Sequence, residues 1–245
     1  MDFLQKYQKE FAEYDRLDQD FIDDDKIWTQ LNKWEKPSRQ DVRLVLKKAE
    51  QCVRLEPEEA AILLQNQDET TIREMYELAS QLKKEVYGDR IVFFAPLYIS
   101  DECANNCLYC GFRCSNKAIQ RKTLSMDEIE QEVRIMINEG QKRTVLVYGE
   151  SPTTDIDFIC ESVRKVYSVK TKGGEIRRAN INCAPLSVEE LKKLKKVGIG
   201  TFQVFQETYH HPTYRKVHPQ NTIKGHYRWR LYCMDRAQQA GVDDN

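Results

Sequence analysis

The chain has 245 residues, with 38 basic and 39 acidic side chains and a formal net charge of -1, so it has no strong positive field for bulk nucleic-acid binding. The length suits one barrel-sized domain or two ordinary ones and excludes a short disulfide-stapled scaffold. The longest apolar stretch, Ile91 to Ile99, is under half of a bilayer span and contains Pro96, and the N-terminus MDFLQKYQKEF has neither a signal-peptide nor a transit-peptide pattern. A cytoplasmic protein without nucleic-acid or membrane partners is expected.

Residues 1–89 read as a helical N-terminal region. Ser38 stands three residues before Asp41, as in a capping box, ahead of an apolar stripe through Val42, Val45, Leu46 and Ala49. Pro57 sits where a first helical turn tolerates it, and a further stripe through Ile72, Met75, Tyr76, Ala79 and Leu82 stops at Gly88. The acidic stretch at Asp23 to Asp25 reads as a solvated helix face or linker.

After residue 89 the pattern changes. Apolar, β-rich runs at 91–98, 144–148, 178–183 and 201–205 are each followed by helical spacing, with capping boxes at Ser125/Glu128 and Ser187/Glu190 and helix-ending glycines at 140, 198 and 241. Strand and helix in alternation mean an α/β fold with a parallel sheet, either doubly wound or curled toward a barrel. A complete eight-unit barrel takes about 250 residues, whereas residues 90–245 have room for four β/α units. A fifth strand is expected near Gly241 to Asn245, where the sequence stops, so the chain reads as truncated.

Of the eight cysteines, Cys52, Cys160, Cys183 and Cys233 lie apart and read as small buried hydrophobes, whereas Cys103, Cys107, Cys110 and Cys114 cluster after the first strand. That position is the C-terminal edge of the sheet, where α/β folds build their sites. The CxxxCxxC spacing of Cys103, Cys107 and Cys110 lets three thiolates converge on one iron-sulfur cluster. Three ligands on four irons leave one iron open to an amine and a carboxylate, both of which S-adenosylmethionine offers; one electron from the cluster then breaks a C–S bond to give a 5'-deoxyadenosyl radical. A structural zinc site with Cys114 as fourth ligand would more usually show two separated CxxC pairs. A ferredoxin-type site would carry Pro where Ser115 stands. Inert buried cysteines would not gather on such a loop.

The CxxxCxxC loop with Tyr109 before its last Cys resembles the signature of the radical S-adenosylmethionine superfamily. The segments YGDRIVFFAPLYISDECANNCLYCGFRCSNKAIQRKTLS, VYGES, FQVFQETYHHPTYRKVHP and HYRWRLYCMDRAQQAGVDD resemble its aromatic-amino-acid lyases. They are most similar to the tyrosine lyases that mature [FeFe]-hydrogenase (HydG), and next to those of thiamine thiazole synthesis; the likeness runs over residues 35–245. It implies a partial (β/α) TIM-type barrel, the first four units of a radical SAM core over residues 90–245, using a [4Fe-4S] cluster and S-adenosylmethionine. By matching position, Cys103, Cys107 and Cys110 are the cluster ligands and Tyr109 packs near the adenine. Gly149, Glu150 and Ser151 stand at the motif that receives the methionine amino group, with Tyr148 replacing its first Gly. Glu207 and Arg230 match a pair that holds the cofactor's ribose or methionine part. Cys114 departs from the pattern and reads as a non-ligand; His210 and His211 stay outside the catalytic set.

The resemblance further implies Cα–Cβ cleavage of tyrosine to p-cresol and dehydroglycine, the source of the carbon monoxide and cyanide ligands of the hydrogenase. It implies an electron donor such as ferredoxin or flavodoxin, and other hydrogenase maturation proteins as partners. The alternatives are the thiazole-synthesis lyase (2-iminoacetate synthase) and a non-catalytic iron-sulfur-binding remnant.

Overall fold

A computed structural model of the chain describes residues 5–242 and divides into two compact units, Phe21–Val92 and Met1–Asp20 with Phe93–Asn245. The expected division after residue 89 falls near the one at Val92/Phe93, but the first segment, expected in the helical region, groups with the sheet.

The smaller unit is helical. Its helices are α2 (Asp24–Lys33), α3 (Arg39–Glu50), α4 (Pro57–Gln65) and α5 (Glu69–Tyr87). The acidic stretch is a helix start: Asp23 caps α2 by accepting from the Lys26 amide, with Asp24 and Asp25 in the first turn. Ser38 and Asp41 form the expected capping box of α3, and Pro57 occupies the first turn of α4. Val42, Val45 and Ile62 make the core, joined by Trp34, Leu46, Leu55, Leu63 and Met75. The expected stripe on α5 is only partly used: Met75 joins that core, while Tyr76 and Ala79 are exposed. Cys52, expected to be buried, is exposed at a positive φ of 54° just beyond α3.

In the larger unit, α1 (Gln8–Asp15) comes first. The sheet follows: β1 (Ala95–Ser100), β2 (Arg143–Tyr148), β5 (Arg178–Asn182) and β6 (Phe202–Gln203), all parallel in the order β1-β2-β5-β6. A small antiparallel hairpin, β3 (Lys170–Thr171) and β4 (Gly174–Glu175), lies outside it and was not expected from the sequence. The helices between strands are α6 (Met126–Asn138), α7 (Ile156–Ser168) and α8 (Val188–Lys196), and β6 is followed by α9 (His211–Val217), α10 (Tyr227–Leu231) and α11 (Cys233–Gln239). Each new strand is added on the same side as the last. A doubly wound sheet reverses direction after its first strands, so this order is that of a partial (β/α) barrel of four units. The fifth strand's expected start at residues 243–245 lies outside the described residues.

Two strand boundaries differ from expectation for one reason, the reach of the neighbouring ladder. Pairing of β1 begins at Ala95 opposite Thr144, and Ile91 to Phe94 stay exposed. β6 pairs only Phe202 and Gln203, because its partner β5 ends at Asn182. Between sheet and helices lies a continuous core that includes Ile99, Leu146, Ile181 and Phe202 from the strands and Ile129, Val133, Val163, Leu191 and Leu194 from the helices. Cys160, Cys183 and Cys233 are buried in it, as the sequence predicts.

The first segment groups with this unit because its apolar face is buried there. Tyr7 and Phe11 are each 4% exposed and pack on Trp229 of α10 at 4.6 and 5.6 Å between ring centroids. Arg236 lies 3.6 Å from the Trp229 ring centroid and donates to the Tyr14 hydroxyl and the Leu186 carbonyl. Lys6 and the Tyr7 hydroxyl both reach Glu190, at 2.6 and 2.9 Å.

Candidate active site

The residues between β1 and α6 form a long loop that leaves the C-terminal edge of the sheet and returns to it. Ser100 and Thr123 close its base through an isolated bridge and a 2.8 Å hydroxyl contact. Within it, Arg121 donates to the carbonyls of Asp101, Gly111, Arg113 and Asn116, so one guanidinium gathers backbone acceptors that would otherwise face water. The loop is also tied to neighbouring segments of the same chain: the Ala104 amide donates to the Glu150 carbonyl at 2.7 Å and the Leu108 amide to the Val217 carbonyl at 3.0 Å.

Cys107 is buried, Cys103 and Cys110 are half-buried, and Cys114 is exposed. Burial pushes the Cys103 and Cys107 thiols above their ordinary range; backbone amides at Asn105 and Glu150 counter it at Cys103, and the Lys224 and Arg230 cations counter it at Cys107. Among the described residues, no three His, Cys, Asp or Glu side chains gather round one point as a single ion requires. A four-iron cube instead takes its thiolates at separate corners.

The exit of β2 faces this loop. Gly149 is dictated by close approach: a Cβ there would stand 2.0 Å from the Glu102 carbonyl oxygen and 3.3 Å from Cys103 Cβ. Tyr148, which replaces a glycine of the family motif, turns the other way and bonds Ser162 of α7 at 2.7 Å, so its bulk lies in the core between sheet and helices. Glu150 is 9% exposed. Burial pushes its carboxyl up, with Arg230 and the Asn105 amide opposing. Its Oε2 accepts from Asn105, while Oε1 is buried without a partner, an arrangement that costs free energy until a donor arrives. The Ser151 hydroxyl bonds Thr153 and caps the turn Pro152–Thr154.

Glu207 follows β6 in a left-handed conformation, φ 63°, which a non-glycine residue adopts only at a cost. Its carboxylate receives Lys224 Nζ at 2.8 Å. Arg230 in α10 donates to the Phe205 carbonyl at 2.8 Å and faces Glu150 electrostatically. The Tyr109 hydroxyl meets His218 Nε2 at 2.7 Å, their rings are edge to face, and Lys224 lies over the Tyr109 ring. His218 is fully buried, and its Nδ1 is 3.0 Å from the Tyr214 carbonyl, so Nδ1 carries the proton and Nε2 accepts from Tyr109. Burial first, then Lys224, lowers the His218 pKa to about 4.

One region of the sheet edge therefore collects Cys103, Cys107, Cys110, Tyr109, Gly149, Glu150, Glu207 and Arg230. His210 and His211 are engaged elsewhere, with Thr213 and Asp20. Asn105, His218 and Lys224 were not singled out from the sequence; each is polar and buried, but its partners are remote in the chain and no local period marks them.

A profile of the Radical SAM superfamily matches residues 97–245. The chain belongs to the radical SAM superfamily. Members use a [4Fe-4S] cluster and S-adenosylmethionine, and the donor set here fits both: three thiol side chains lie on one loop, beside a buried carboxylate with an oxygen free for an ammonium group. A solved HydG structure, titled a maturase of the [FeFe]-hydrogenase, superposes with a TM-score of 0.89 at 48% identity over 92% of this chain and 50% of that one. HydG from Carboxydothermus hydrogenoformans gives 0.80 at 35% identity, over 97% of this chain and 52% of that one. Among curated proteins, the 2-iminoacetate synthase of Escherichia coli is 32% identical over 70% of this chain and 44% of its own length. The chain thus spans about half the length of these relatives. Among the described residues no helix is long and apolar enough to cross a membrane.

Proposed function

We propose that this chain carries the cofactor-binding part of a radical S-adenosylmethionine tyrosine lyase of the hydrogenase-maturation type, whose products are p-cresol and dehydroglycine. The observation that carries the reading is the buried Glu150 carboxylate, one oxygen without a partner, beside the three-cysteine loop. Cys103, Cys107 and Cys110 hold the cluster, and Cys114 stays outside it. When bound, the reduced cluster supplies the electron that cleaves S-adenosylmethionine to a 5'-deoxyadenosyl radical. Glu150 Oε1 accepts from the ligand's ammonium group, and Gly149 lets the loop approach closely enough for both contacts to be made together. Tyr109, its hydroxyl held by His218, offers a ring face for the adenine; Glu207 and Arg230 serve the ribose or methionine end. Ferredoxin or flavodoxin is the proposed electron donor, and other maturation proteins the proposed partners.

The maturase assignment is preferred to the thiazole-synthesis lyase because identity to the solved HydG is 48%, against 32% to 2-iminoacetate synthase. The test joins this chain to the remaining half of that HydG. The reconstituted, reduced chimera with S-adenosylmethionine and tyrosine should form 5'-deoxyadenosine and p-cresol. Absence of 5'-deoxyadenosine overturns the radical reading; 5'-deoxyadenosine without p-cresol overturns tyrosine as substrate.

A further inference from the structure

Asn105 lies between the first two cysteines of the loop, is 3% exposed, and uses every polar atom of its side chain. Its Oδ1 accepts from the Lys224 backbone amide at 2.8 Å, and its Nδ2 donates to Glu150 Oε2 at 2.5 Å and lies 3.7 Å from Cys103 Sγ. The Lys224 amide can only donate, so the oxygen of the Asn105 side chain must face it and the NH2 must face Glu150. The backbone of Asn105 is fixed as well, its carbonyl accepting from the Cys114 amide at 2.8 Å. A second tie between the same segments, from the Ala104 amide to the Glu150 backbone carbonyl, fixes the backbone from which the carboxylate projects, and among the described residues Asn105 alone holds the carboxylate itself by a hydrogen bond.

We propose that Asn105 is a positioning residue for the cofactor: it occupies Glu150 Oε2 and thereby directs Oε1, the oxygen without a partner, to the ammonium group of S-adenosylmethionine. The proposal rests on the cofactor-binding reading above. It also links two events that the sequence treats as separate motifs. The segment that holds Cys103 and Cys107 is the one that aims the carboxylate, so ordering of the loop by iron and presentation of Glu150 are mechanically one step. An alanine at 105 leaves Oε2 equally bare, and the carboxylate is then free to rotate. An aspartate of the same shape places two carboxyl groups in contact, and the pair sheds its charge repulsion by taking up a proton or moving apart. Either change disables the acceptor without removing a thiol.

The test measures S-adenosylmethionine affinity by equilibrium dialysis on anaerobically reconstituted full chain, with iron content determined on the same samples. Asn105→Ala and Asn105→Asp should keep four irons per chain and bind the cofactor about tenfold to a hundredfold more weakly, the range for loss of a hydrogen bond to a charged group. The reduced cluster's EPR spectrum should respond less to saturating cofactor in both. In a Glu150→Ala background, Asn105→Ala should cause no further loss, because its effect passes through that carboxylate; a general packing role would add to the first change. Wild-type affinity in both Asn105 variants, full additivity with Glu150→Ala, or loss of iron from both variants each overturns the proposal. Failure of the unmodified chain to bind iron or cofactor overturns the underlying reading instead.

Discussion

His218 should make the stability of the larger unit fall as the solution is acidified from pH 7 to pH 5. The imidazole is fully buried between the Tyr109 hydroxyl and the Tyr214 carbonyl, and its pKa is lowered to about 4 by burial and by Lys224. In the unfolded chain it titrates near 6.5. Between these values the unfolded state binds a proton that the folded state refuses, so this contribution is complete above about pH 6.5 and is lost progressively down to about pH 4. Integrating over the two titrations gives a loss of about 2 kcal/mol between pH 7 and pH 5. The assay is urea unfolding at both pH values followed through Trp229, which belongs to this unit, with Trp28 and Trp34 replaced by Phe. His218→Phe should be less stable at pH 7, since it abandons both polar partners, yet lose about 2 kcal/mol less than the parent on going to pH 5. Equal pH dependence in parent and variant would show that burial does not hold His218 neutral over this range, and the reasoning would fail.

The remaining expectations concern the site directly. Replacing Cys103, Cys107 or Cys110 by Ala should abolish the reduced-cluster EPR signal, while Cys114→Ala should leave it; the reverse pattern at Cys114 refutes the ligand set. Glu150→Ala should retain iron but weaken S-adenosylmethionine binding by about 1.5 to 3 kcal/mol, the range for a hydrogen bond to a charged group, and an unchanged spectral response to the cofactor would contradict its role. Gly149→Ala should lower stability by about 1 to 3 kcal/mol and reduce iron incorporation, because the added methyl meets the Glu102 backbone at 2.0 Å; normal thermal unfolding and iron content would show that the loop yields without cost.

Local chemistry in the sequence determined much of this protein. The boxes at Ser38/Asp41, Ser125/Glu128 and Ser187/Glu190 all form as their spacing requires, because a cap and its partner lie within one helical turn. Alternating strand and helix grammar likewise specified a parallel sheet, and the cysteine spacing placed a candidate cluster loop at its edge. Other features depended on contacts between remote residues. The strand and helix pattern left a barrel and a doubly wound sheet both open; the family resemblance implied the barrel, and the strand order that bears it out is a property of the assembled ladder. Tyr7 meets Glu190 across 183 positions, and Asn105 meets Lys224 across 119; no periodicity encodes such pairs. The sequence shows that Tyr148 stands where the family motif has a glycine, but only the fold places its side chain in the core beside Ser162, because successive residues of a strand point to opposite faces and the packing decides which face is covered. Glu150 could be assigned to the site by likeness alone, but only packing determined that Asn105 holds one carboxylate oxygen and leaves the other buried without a donor.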